Sequence, residues 1–80
     1  VVAPTISPEK LRRSAQRMRA IRRALGFTQR DFAYYLRVAV PTISNWECAK
    51  TLPSQLADAR IREVATQHGL DLNTLRRFDV

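Results

Sequence analysis

The chain has little of what staples a small protein or arms an enzyme: one cysteine, Cys48, and one histidine, His68. A lone thiol builds no disulfide framework, and one thiol beside one imidazole is too small a set to hold a structural metal. With 2 glycines and 4 prolines, collagen-like and low-complexity segments are excluded. No apolar run approaches the roughly 18 residues of a membrane span, and Val1-Val2-Ala3-Pro4 lacks the basic and apolar regions of a signal peptide. A soluble, cytoplasmic protein is expected. The sequence also lacks a Ser-His-acid set, a glycine-rich phosphate loop and a carboxylate pair with a pocket to serve. It is read as no enzyme, with no cofactor and no metal. What is present is enough for one small domain, since the 80 residues are 45% hydrophobic and 26% charged.

Acidic residues are scarce on one side only. Residues 1–40 carry nine Lys and Arg against Glu9 and Asp31, whereas residues 41–80 carry five of each sign. Twelve of the fourteen cations are arginine. The planar guanidinium donates two parallel hydrogen bonds to a phosphate or a guanine edge, so the partner implied is a polyanion. An ordinary solvated face and a basic helix lying on anionic lipid are the competing readings.

The local signals are all helical. Ser7-Pro8-Glu9 reads as N-cap, Pro at the first helical position and an acid at the positive helix end, with Ile6 and Leu11 placed as a hydrophobic staple. Leu11, Ala15, Met18, Ile21 and Leu25 recur at helical spacing, and Gly26 ends the first helix in a left-handed turn. Thr28 and Asp31 form a capping box for a short second helix, with Phe27 and Phe32 as its staple. A third helix spans about 40–48, with Pro41 tolerable only in its first turn. Ser54 caps a fourth that ends at His68 before Gly69, and Asp71 caps a brief fifth through Phe78.

Two of these helices carry a charge where an apolar residue belongs. At ~100° per residue Arg22 falls inside the apolar arc of the first helix, and Glu47 lies beside Ile43 on the inner face of the third. A buried charge is costly unless paired, so Arg22 and Glu47 are expected to meet. The outer face of the third helix is Pro41, Ser44, Asn45 and Cys48, with Thr42 at its edge. A face meant only for water usually carries Lys and Glu. A face meant for a major groove needs slim donors and acceptors and no carboxylate against phosphates. An ordinary small-residue packing surface is the plainer alternative.

The run from Phe27 to Ser54, FTQRDFAYYLRVAVPTISNWECAKTLPS, resembles the helix-turn-helix of the lambda-repressor and Cro-like (XRE-type) family. The matching features are Thr28-Gln29 opening the second helix, Ala33 within it, Thr42 through Glu47 in the third, and Pro53-Ser54 entering the fourth. Arg22 also sits where that family places an arginine of its first helix, and the likeness extends from Met18 to Gly69. The resemblance implies an all-α, compact five-helix domain; the chain is read as one domain over residues 1–80, with 1–6 as a flexible arm and 70–80 as a short C-terminal helix that either closes the core or joins two subunits. It implies a sequence-specific regulator of transcription, a repressor, bound as a homodimer to a palindromic double-stranded operator with the third helix in the major groove. Base contacts would carry over to Gln29, Val40, Pro41 and Asn45, with Ser44 sharing the readout, and phosphate contacts to Thr28, Thr42 and Lys50. Asn45 suits adenine, and Val40 or the Thr42 methyl suits thymine.

This sequence departs from the family pattern at five places. Arg37 stands where the turn often has Gly, and brings a cation to the nucleic-acid backbone. Ala39 replaces the usual cap residue, Val40 and Pro41 replace common hydrogen-bond donors, and Ala49 replaces a common Gly. Cys48 is read as a passive small residue, His68 as a cap or dipole partner, and one of Tyr34 and Tyr35 as partly core. The rival from another class is a protein-interaction module, such as an antitoxin or a polymerase-contacting adaptor.

Overall fold

Four helices follow one another in residues 7–70, the part of the chain described by the structure, a computed structural model: α1 Pro8–Ala24, α2 Gln29–Leu36, α3 Val40–Glu47 and α4 Gln55–Gln67. Three of the four begin on a side-chain acceptor that satisfies a free amide of the first turn. Ser7 Oγ accepts from the Lys10 amide at 3.1 Å and Ser54 Oγ from the Ala57 amide at 3.1 Å. At α2 the capping box is closed both ways, Thr28 Oγ1 taking the Asp31 amide and Asp31 Oδ2 taking the Thr28 amide. Ahead of α3, Ala39 offers no side-chain bond, and Pro41 removes one donor from that first turn.

All four helices stop by the same device. A left-handed residue follows the helix, and the next amide reaches back five residues to a helical carbonyl, as in a Schellman motif. The left-handed residues are Gly26 (φ 72°), Arg37 (58°), Ala49 (60°) and Gly69 (76°). The returning bonds are Phe27 to Arg22, Val38 to Ala33 and Lys50 to Asn45 at 3.0 Å, and Leu70 to Ala65 at 2.9 Å. Phe27, Val38 and Leu70 then pack against the core, as the motif favours, whereas Lys50 stays exposed.

The core joins Met18 and Ile21 of α1, Phe32, Ala33 and Leu36 of α2, Ile43 and Trp46 of α3, and Ile61, Val64 and Ala65 of α4. Each helix therefore gives its apolar arc to one shared interior. A part-buried ion pair ties α1 to α4, with Arg17 Nη1 donating to Asp58 Oδ1 at 3.0 Å, and Asp58 also pairs with Arg62 at 3.2 Å.

The architecture is all-α, as expected, with four helices among the described residues. The fifth, expected through Phe78, falls on residues 71–80 and so lies outside them, as do the arm 1–6 and the staple partner Ile6. Leu70, at the start of the expected C-terminal segment, is non-helical and closes the edge of the core. The third helix ends at Glu47, with Cys48 as its C-cap. Neither tyrosine is core: Tyr34 is 78% exposed, and Tyr35, 44% exposed, lies on the surface stacked against Phe27 with ring centroids 4.8 Å apart.

Candidate nucleic-acid interface

The site is organised by a polar knot where α1 meets the end of α3. Arg22 donates from Nε to Glu47 Oε2 at 2.8 Å and from Nη2 to Oε1 at 2.9 Å, a bidentate fork-to-fork pair. Its Nη1 donates to the Phe27 carbonyl at 3.0 Å, which fixes the guanidinium to the chain between α1 and α2. The Arg22 side chain is 16% exposed and Glu47 4%. The hydrogen bond with Glu47 is the main influence holding the Arg22 pKa above the ordinary arginine value; burial opposes it and Coulomb attraction adds to it. Among the described residues no buried side-chain nitrogen or oxygen lacks a hydrogen-bond partner, so the charges are enclosed without a stranded group.

The knot decides what α3 shows to solvent. Glu47 is the one charged residue in the helix, and it points inward. The outer surface is consequently uncharged. Pro41 and Val40 are exposed, Thr42, Ser44 and Asn45 are half-buried, and Cys48 is exposed beside Ser44, with Oγ and Sγ 3.9 Å apart. Carboxylates are absent from this face, so phosphates can approach it without repulsion, while hydroxyl and amide groups remain for base edges.

Several residues singled out in the sequence surround that face. Gln29 opens α2 and leans toward the knot, its Nε2 donating to Glu47 Oε1 at 3.4 Å. Thr28 is exposed just before it, at the positive end of α2, with its hydroxyl oxygen engaged in the capping box. Arg37 and Ala39 are exposed in the turn between α2 and α3, and Lys50 is exposed immediately beyond α3.

One contributor left no mark in the sequence pattern. Arg19 Nη2 donates to the backbone carbonyl of Glu47 at 2.9 Å and so caps the negative end of α3 with a cation. A bond to a backbone carbonyl selects no side-chain partner, so spacing could not reveal it. His68 Nδ1 lies 2.9 Å from the Val64 carbonyl at the end of α4, and its ring stands edge-on to Phe27 and Tyr35. That placement suits a structural cap. The described residues hold no group of three or more His, Cys, Asp or Glu able to bind a metal, and no helix long and apolar enough to cross a membrane.

Residues 18–57 match the helix-turn-helix family, a span covering half of the chain from the middle of α1 to the first turn of α4. No curated protein and no solved structure matches the chain. The matched span contains the Arg22–Glu47 knot, the left-handed turn at Arg37 and the whole uncharged face of α3. The chain belongs to the helix-turn-helix family of XRE- and lambda-repressor-like DNA-binding regulators.

Proposed function

We propose that this protein is a sequence-specific repressor that inserts α3 into the major groove of double-stranded DNA. The observation that carries the reading is the inward turn of Glu47, which leaves a small polar face free of carboxylate on a helix of a basic domain. Asn45 reads adenine through its amide, and Ser44 adds a hydroxyl that both donates and accepts. Val40 and Pro41 give apolar contact to thymine methyls. Gln29 keeps its amide oxygen for a base while its nitrogen braces Glu47. Thr28, Thr42 and Lys50 hold phosphates, and Arg37 and Ala39 bring the turn against the same backbone.

The reading treats residues 1–80 as one domain that binds as a homodimer, with 70–80 at the contact and a palindromic operator as target. Repression follows from occupying the duplex where transcription must start. Selection of bound duplexes from a random library tests this directly. The expected result is one enriched motif in two inverted half-sites about one helical turn apart. Recovery of unenriched duplexes, all bound with equal affinity, would overturn it.

A further inference from the structure

Six arginines lie on α1, and the fold sorts them into two kinds. Arg13 pairs with Glu9, Arg17 with Asp58 and Arg22 with Glu47. Arg12 and Arg23 pair with no carboxylate among the described residues, and Arg19 donates to a neutral carbonyl, so no described acid compensates any of the three. At ~100° per residue, Arg12, Gln16, Arg19 and Arg23 fall within one arc of about 60°, and all four are exposed. No acidic side chain stands in that arc.

The position of this stripe is set by the attachments on either side of it. On one flank of α1, Arg22 grips α3, and on the other, Arg17 grips α4. The stripe lies on the outward arc between them. Arg19 connects it to the end of α3 through the Glu47 carbonyl, three residues before Lys50. From there the charge runs along α1 for about 16 Å between Arg12 and Arg23, at 1.5 Å per residue. The helix begins at Pro8, ten residues ahead of the matched span 18–57, so Arg12 and Gln16 stand on an extension outside it.

We propose that the Arg12–Arg19–Arg23 stripe is a second, sequence-independent phosphate track, which takes up the duplex backbone beyond the end of α3. It rests on the reading of α3 as the groove-binding helix. A flexible cation on a helix finds a phosphate at many registers, so the track adds affinity without adding base preference. Three cations paired with no described carboxylate, the nearby Glu9 being taken up by Arg13, match the regular negative charge of a strand better than they match a protein surface of mixed sign.

The test is the salt dependence of duplex binding by the full chain carrying Arg12→Gln and Arg23→Gln together, with Arg19 left to cap α3. An Arg60→Gln/Arg62→Gln double variant on α4 removes equal charge elsewhere. Each phosphate contact contributes about 0.9 to the slope of log K against log salt, so the α1 variant is expected to lose roughly 1.8 from that slope. Its binding should weaken about tenfold or more at 0.1 M salt, equally on selected and random duplexes. The α4 variant should keep the wild-type slope, and the α1 variant, which breaks no ion pair among the described residues, should melt like wild type. An unchanged slope in the α1 variant, or equal losses in both variants, overturns the track. Failure of the wild-type chain to bind any duplex instead overturns the reading of α3, which separates the two outcomes.

Discussion

The outer helices α1 and α4 end on Gly26 and Gly69, whereas the inner pair α2 and α3 end on Arg37 and Ala49 with the same left-handed backbone. For a residue with a Cβ that conformation costs roughly 1 kcal/mol or more, which glycine avoids. The helix pair of the helix-turn-helix therefore carries backbone strain that the outer pair lacks. The end of α3 is also held differently. Gly26, Arg37 and Gly69 are followed by Phe27, Val38 and Leu70, which pack against the core, while Ala49 is followed by exposed Lys50. The end of α3 is held instead by arginines from α1, two bonds from Arg22 to the Glu47 carboxylate and one from Arg19 to its carbonyl. The lesson is that a helix can give up favourable stop chemistry at its surface when an ion pair behind it fixes its end.

Removing the outside hold should have the largest effect. Arg22→Ala strands Glu47 at 4% exposure and is expected to lower folding stability by about 3 kcal/mol or more. Chemical unfolding measures this, and amide exchange should show the greatest loss of protection around the end of α3. An unchanged unfolding midpoint would mean that the inner pair does not depend on the knot.

The glycine contrast predicts smaller effects of opposite sign. Nothing lies within 4 Å of a Cβ added at Gly26 or Gly69, so an alanine at either meets only the conformational penalty. Gly26→Ala and Gly69→Ala should each destabilise by about 1 kcal/mol. Arg37→Gly and Ala49→Gly should each stabilise by about 0.5 to 1 kcal/mol, because there the strain is relieved. Thermal melts of the four single variants decide the matter, and the comparison fails if all four shift in one direction. The smallest stability change is expected for Lys50→Leu, a few tenths of a kcal/mol gained from a hydrophobic stop. The same change should make duplex binding about 0.9 less steep in salt if Lys50 holds one phosphate.

Much of this architecture was legible because its signals are local. Ser7, Thr28 and Ser54 act within three residues of themselves, and Gly26 and Gly69 mark helix ends by their own stereochemistry. Arg22 and Glu47 were visible at long range because each violates the apolar pattern of its helix, so the pair leaves a trace in both places. Arg17 and Asp58 are 41 positions apart and leave no such trace, since a charge at the rim of an apolar arc is ordinary. The bonds of Arg19 and Gln29 to Glu47 were hidden for a related reason. One uses a backbone acceptor, and the other turns a surface amide inward without breaking any pattern. Ala49 as a left-handed residue ran against its own propensity, and only the path of the chain beyond α3 reveals it. The stacking of Tyr35 on Phe27 likewise depends on how the turn between α1 and α2 lays Phe27 against α2.

The central claim is that the uncharged face of α3 discriminates among base pairs. The most direct measurement is the ratio of affinities for a selected duplex and a random one, in the wild-type chain and in Asn45→Ala, at a single salt concentration. The substitution is expected to cost about 1 to 3 kcal/mol on the selected duplex and little on the random one, so the ratio should collapse toward unity. Equal losses on both duplexes, or a wild-type ratio already at unity, would contradict the account.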